Sequence, residues 1–241
     1  SDIPADLKEI VYAGYTTLGN FAINGQPLGI MKGYYFKRSA DGQMIVGSAG
    51  DYLSSNAIGI IGAPTPKYKL SGISTLTYKS FSLKVQVDYS HGGDIYSSTA
   101  RSLLARGVTK DTEFDRAAPF ILPGVKEDGK TPNDMQISAT QGYFNNVFGP
   151  DQAGVFDATV VRLRDVSLSY NLPEKWLAKT PFGNVSISAN GSNLWYYAPN
   201  FPKYMHFDPE TNGLGVSNGK GLEFITGPSA RRLGVSVRVT F

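Results

Sequence analysis

Apolar and polar positions alternate most cleanly in the closing stretch, Arg231 to Phe241. Leu233, Val235, Val237, Val239 and Phe241 fall on one side of a strand; Arg232, Gly234, Ser236, Arg238 and Thr240 take the other. The same sorting recurs from Phe81 to Ser90, where Phe81, Leu83, Val85, Val87 and Tyr89 oppose Ser82, Lys84, Gln86, Asp88 and Ser90. One environment is oil and the opposite one is wet. Lys84 and Asp88 unpaired in a dry core would each be costly to bury, and a water-filled lumen removes that cost. A pattern that runs to an aromatic last residue, rather than fraying into a polar tail, suits the closing strand of a membrane β-barrel.

Other elements follow from the same periodicity. A poorly sorted strand is predicted over 7–18, a turn over 20–28 around Asn24 and Gly25, and an aromatic-rich strand over 29–37. Strands 68–78 and 81–90 form a hairpin turning on Lys79 and Ser80. A strand spans 159–170, with Val166, Leu168 and Tyr170 opposite Asp165, Ser167 and Ser169; Arg162 and Arg164 count onto the side of Val166, which implies that the strand continues past the bilayer into water. Residues 171–183 turn through a short amphipathic piece, Pro173 to Leu177. Val185, Ile187 and Ala189 then alternate with Asn184, Ser186, Ser188 and Asn190 before the strand ends in Leu194, Trp195, Tyr196 and Tyr197. Aromatics at the end of an aliphatic stripe suit an interfacial girdle, because each ring tolerates oil at one end and water at the other.

Between these strands lie long connections over about 39–66, 91–156 and 198–229 and shorter ones at 79–80 and 171–183. A short helix is predicted at 98–106; Pro119, Pro123, Pro132 and Asn145–Asn146 argue against regular structure elsewhere in the second long connection. One end of the sheet is decorated and the other trimmed, the asymmetry of transmembrane barrels, with Phe241 at the trimmed, periplasmic end.

Composition narrows the classes. The 241 residues include no cysteine, which excludes disulfides and thiolate metal sites. The net charge is only +3 and the basic residues are scattered, against a nucleic-acid partner. No apolar run is long enough for a spanning helix, and barrel strands never produce one. The opening residues, Ser1 to Asp6, lack the basic and apolar segments of a leader, so a processed form or a piece of a longer polypeptide is expected.

Several segments together resemble the C-terminal third of SusC/RagA-type TonB-dependent transporters. They are Ile61 to Tyr68, Leu76 to Leu83, Gly92 to Tyr96, Val161 to Pro173, Gly191 to Trp195, Asp208 to Glu210, and Pro228 with Arg231 to Phe241. The resemblance implies an all-β fold: antiparallel strands forming the C-terminal portion of a 22-stranded plugged barrel, in an outer membrane of a Bacteroidota bacterium. It further implies import of glycan or peptide fragments, energy delivered by TonB through an N-terminal plug, and a SusD-like surface lipoprotein as lid. The chain departs from the complete pattern in showing no plug segment and only about seven strands, too few to close so wide a lumen. Two alternatives remain open at this stage: a small autonomous outer-membrane barrel acting as pore or adhesin, and a soluble β-sandwich carbohydrate-binding module.

Candidate chemistry is sparse, and an enzyme is not expected. His91 and His206 are the only histidines, too few for a multi-histidine metal site, and no cofactor motif is present. Asp208-Pro209-Glu210 reads as a turn rather than an acid/base pair, and Ser167 and Ser169 lack a partner histidine. The loop aromatics Tyr143, Phe144, Tyr197, Phe201 and Tyr204 are candidates for ligand stacking, or for packing loops against each other and a lid. Lys84, Asp88, Arg232 and Arg238 are expected to face the lumen. Trp195 is assigned to the membrane interface, and Phe241 there or to a barrel-assembly signal on the last strand.

Overall fold

The computed structural model describes residues 3–4, 7–214 and 219–241, and in the helix at 141–147 it leaves out the side chains of Gln141, Gly142 and Asn145. Ser1, Asp2, Ala5 and Asp6 of the opening stretch lie outside the described residues.

In chain order the strands are β1 (Glu9–Gly14), β2 (Gly19–Ile23), β3 (Ile30–Gly33), β4 (Gly59–Gly62), β5 (Tyr68–Tyr78), β6 (Phe81–His91), β7 (Asp94–Ser97), β8 (Phe120–Ile121), β9 (Gln136–Ile137), β10 (Val155–Asp157), β11 (Val160–Asn171), β12 (Asn184–Tyr197), β13 (Leu222–Glu223) and β14 (Arg232–Thr240). Among the described residues the α-helices α1 (Ser98–Ala105), α2 (Gln141–Val147) and α3 (Glu174–Leu177) and two 3-10 turns, Lys110–Thr112 and Asp151–Gly154, sit in the connections.

The long strands form one antiparallel sheet in the order β14-β12-β11-β6-β5. Its register lines up the aliphatic stripes of all five strands. One row joins Val235, Ala189, Leu168, Leu83 and Leu76, and the next joins Leu233, Gly191, Val166, Val85 and Ser74. Tyr170, Phe81 and Tyr78 end this face on one side, and Tyr197, Tyr89 and Leu70 end it on the other. Eight residues at ~3.4 Å each put ~27 Å between the two aromatic ends along β6, which a strand tilt of ~35–45° projects to roughly 20 Å, most of the ~25 Å height of an outer-membrane apolar band. The face is uncovered: Leu76 is 64% and Val235 76% exposed.

The hairpin, the helix at 98–106 and the strands at 159–170, 184–197 and 232–240 lie where the sequence places them. Three expectations need correction. The strand at 7–18 breaks at Gly14, whose φ of +86° starts a tight turn into β2, so 20–23 is strand rather than turn. With β3 and β4 these strands make a separate four-stranded sheet instead of joining the long one. The second long connection also holds more order than its prolines suggest: α2 runs through Asn145 and Asn146 under a Thr140 cap, because Thr140 Oγ1 accepts the free Tyr143 N–H.

Tertiary contacts knit the loops into one cap. Leu18, Met31, Ile61, Tyr96 and Leu222 form an apolar core shared by the four-stranded sheet, β7 and β13, where Leu222 pairs in parallel with Tyr96. Buried Asn20 donates to the carbonyls of Gly29 and Lys220 and accepts from the Lys220 N–H. Glu223, also fully buried, accepts from Ser97 and Thr99 at the start of α1 and from Thr226. Burial pushes its carboxyl up, and those hydrogen bonds outweigh it and hold the group below the ordinary glutamate range. A depressed folded value stabilises above the unfolded one, so this contribution is lost as pH falls through the folded value. Glu223→Ala is expected to cost about 2 kcal/mol by leaving buried donors unpaired, read as a lower denaturation midpoint whose deficit narrows on acidification.

Candidate functional site

The polar face of the long sheet carries the charged chemistry, and a bulge arranges it. On β11, Leu163 lies opposite Val87 and Asp165 opposite Gln86, leaving Arg164 as an extra residue. The disturbance widens in β12, where Leu163 faces Trp195 and Asp165 faces Ser192, and Asn193 takes a φ of +53°. The inserted residue resets the alternation. Arg162 therefore opposes Asp88 on the polar face, while Val166 opposes Val85 on the apolar one. The sequence count that put Arg162 and Arg164 on the side of Val166 is corrected by this bulge.

Both arginines turn toward the third long connection. Arg162, 2% exposed, meets the Asp208 carboxylate with both terminal nitrogens, Nη1 at 3.1 Å, and its Nε faces Glu210 Oε2 at 3.3 Å as an ion pair without hydrogen-bond alignment. Its guanidinium lies over the Tyr196 ring, 5.3 Å from the centroid. Arg164 bridges Asp88 at 2.6 Å and Glu210 at 2.8 Å, and Asp88 also accepts from Ser71 and Gln86. Burial raises the Asp208 carboxyl, but the Arg162 hydrogen bonds hold it below the usual carboxylate range.

This cluster closes one end of a cleft between the sheet and the loops. A cavity of about 270 Å³ is lined by Ser71, Asp88, Arg162, Arg164 and Glu210 among others. One of about 630 Å³ adjoins it, sharing Lys69, Ser90, Val160 and Glu210 and reaching Pro64, Asp94 and Lys220. Asp94 accepts from the Ala63 N–H at 2.7 Å and pairs in register with Asp157. Burial and then Asp157 raise the Asp94 carboxyl against that hydrogen bond.

Lys84, Asp88, Arg232 and Arg238 all fall on the polar face, opposite Ser167, Arg162, Ser192 and Ser186 respectively. Trp195 lies on the apolar face, 49% exposed and stacked with Tyr197; Phe241 is 87% exposed and edge-on to Phe182. The five loop aromatics do not form one site, although Tyr143 and Phe144 touch, with ring centroids 5.1 Å apart. Phe144 is buried against Phe114, Tyr143 and Arg116, and Phe201 is stacked between Phe156 and Phe207. Tyr197 belongs to the apolar sheet face, while Tyr204 is exposed beneath Lys110 and Lys203. Tyr143 lines a separate cavity of about 320 Å³ with Asp51 and Thr140, and burial pushes its hydroxyl up to about 12.

Asp208-Pro209-Glu210 makes the expected turn, with the Glu210 N–H donating to Asp208 Oδ1 at 3.0 Å. Its ion pairing with Arg162 and Arg164 was missed. The available signal was two arginines two apart in a strand and two carboxylates two apart in a later loop.

A sheet with one uncovered apolar face between aromatic ends, and one polar face carrying charges and a loop cap, defines a membrane β-barrel wall rather than a soluble layer. The comparisons with known proteins agree. The chain is 28% identical over 187 residues to TonB-dependent receptor P3 of Formosa agariphila, covering 76% of this chain and 17% of that protein. It is 24% identical over 196 residues to TonB-dependent receptor P26 of the same organism, covering 78% and 18%. Among solved structures it is similar to the RagAB peptide importer in its closed-closed state, with a TM-score of 0.58 at 16% identity over 98% of this chain and 25% of that one. The open-open state gives a TM-score of 0.56 at 16% identity, over all of this chain and 25% of that one. No family model matches. In sequence, then, the chain is similar to part of a TonB-dependent receptor, and in fold to part of the RagAB peptide importer. It spans under a fifth of the length of those curated relatives.

Proposed function

We propose that the chain is the C-terminal wall segment and external loops of a 22-stranded, plugged outer-membrane barrel that imports glycan or peptide fragments with energy from TonB. The observation that carries this reading is the long sheet, with its uncovered apolar face, opposite polar face and two open edges at β5 and β14. Five strands cannot enclose a wide lumen, so the edges call for further strands, and an N-terminal barrel part with its plug supplies them. The polar face is the lumen side, and the loop cap over 39–66, 91–156 and 198–229 is extracellular. A SusD-like lipoprotein would close over that cap, as the partner in the RagAB peptide importer suggests. The protein is not an enzyme in this reading: its chemistry is binding and passage, in the outer membrane of a Bacteroidota-like bacterium.

Native mass spectrometry of detergent-extracted material, followed by dissociation into chains, tests this. Expected is a transporter of several times 26.0 kDa in which this sequence accompanies a plug, with or without a lipoprotein. A lone, folded, heat-modifiable 26.0 kDa species would overturn it in favour of a small autonomous barrel.

A further inference from the structure

The polar face holds more positive charge than it neutralises, and the surplus is arranged by height. Cross-strand register divides that face into levels. The uppermost joins Lys69, Ser90 and Val160. The next contains Asp88 and Arg162, the level locked by Asp208 and Glu210. Below it Arg232 stands beside Ser192, then Lys84 beside Ser167, and, past a level of serines and Thr77, Arg238 beside Ser186. Lys69, Lys84, Arg232 and Arg238 form no ion pair among the described residues, and neither does Lys220 on the rim of the larger cleft. Of the two carboxylates that the strands place on the same face, Asp88 is paired with Arg164, while Asp165 accepts the Ser192 hydroxyl at 2.6 Å and keeps its charge on the Arg232 level. The intervening residues are mostly Ser, Thr, Asn and Gln, which donate hydrogen bonds without adding negative charge.

We infer that this face is an anion track: a ladder of unpaired cations running from the loop-capped cleft down the wall, suited to an oligomeric cargo bearing carboxylate groups. Cations lining a confined aqueous path select anions, because the low-dielectric wall focuses their field and raises the local concentration of opposite charge. Spacing over several levels matches a multivalent ligand better than a single small anion, since four of the six levels offer an unpaired cation as the cargo descends. The cluster sets the two guanidiniums of Arg162 and Arg164 against Asp88, Asp208 and Glu210 and so carries one spare negative charge; counted with Asp165, it still leaves the four unpaired cations of the face in excess by two. The inference rests on the wall reading above and goes beyond it by naming the charge of what passes.

The test uses the intact transporter in detergent and four labelled probes: tetragalacturonate, maltotetraose, tetraglutamate and tetraserine. At low salt at least one tetra-anion should bind roughly tenfold or more tighter than its neutral counterpart, and added salt should erase the difference. The variant Lys84→Gln, Arg232→Gln, Arg238→Gln should weaken tetra-anion binding by roughly tenfold or more and leave any neutral binding as it was. Limited proteolysis, reporting whether the plug stays seated, should be the same for variant and parent. The preferred tetra-anion then identifies its source, acidic sugar or acidic peptide. Equal binding of charged and neutral probes, or unchanged tetra-anion binding by the variant, overturns the inference. So does a plug loosened in the variant, which would assign the cations to plug carboxylates. Any of these results on a verified plugged barrel leaves the importer reading standing; a lone small barrel in the mass measurement would defeat that reading first.

Discussion

Asp208→Ala is expected to destabilise the loop cap by about 3–5 kcal/mol, because it strands the buried Arg162 guanidinium. At 2% exposure Arg162 cannot recover solvation, and its remaining partner, Glu210, sits at 3.3 Å without alignment. Glu210 moves the expectation toward the lower end of the range. The change should appear as protease nicking within 198–229 and as a lower midpoint in thermal unfolding of the extracted protein. Asp208→Asn should lie between parent and alanine, since it keeps an oxygen for the Glu210 N–H but loses the charge. Replacing both partners, Arg162→Leu with Asp208→Leu, should recover part of the loss by removing the stranded charge. If Asp208→Ala left nicking and midpoint unchanged, the cluster would not be what holds the loop. The pH dependence has the same sign as for Glu223. The Asp208 carboxyl is depressed in the fold, so its contribution is present above the unfolded aspartate value and fades as pH falls through the folded one.

Val85→Arg should impair assembly where Gln86→Arg, one residue away, should not. Val85 occupies the middle row of the apolar face, four residues from Phe81 and four from Tyr89, beside Val166 and Ser74. An arginine at that depth costs about 2–4 kcal/mol against lipid. Gln86 points to the opposite face, next to Asp88 and opposite Asp165, where a guanidinium meets water and carboxylates. The measurement is the folded, heat-modifiable fraction after insertion into vesicles for the two variants in parallel. Equal loss in both would place the two faces in similar environments and defeat the barrel-wall reading; loss for Gln86→Arg alone would invert it.

Much of the long sheet was legible because β6 and β14 obey a strict period of two. The stripes at 81–89 and 233–241 needed no tertiary information to be sorted, and the positions of Lys84, Asp88, Arg232 and Arg238 followed from them. The short elements were less legible. Gly14 ends a strand through a positive φ that neighbouring β-formers disguise, and α2 depends on a threonine cap that outweighs two asparagines. The loop aromatics carried no directional signal, since a ring that stacks on a ligand and one that packs under a loop look alike in sequence. Phe144 and Phe201 are buried against other rings, and Tyr204 is exposed.

The sequence by itself determined the two-faced strands, the hairpin at Lys79–Ser80 and the division into trimmed and decorated ends, because local alternation and turn chemistry are short-range properties. Only the tertiary structure decided which way Arg162 and Arg164 point and what they hold. One unpaired residue at the Arg164 bulge inverts every side chain above it, and that insertion shows only against the registers of β6 and β12. The partners Asp208 and Glu210 lie more than forty residues further along, and folding brings them onto the wall because a buried guanidinium is tolerable only where a carboxylate meets it.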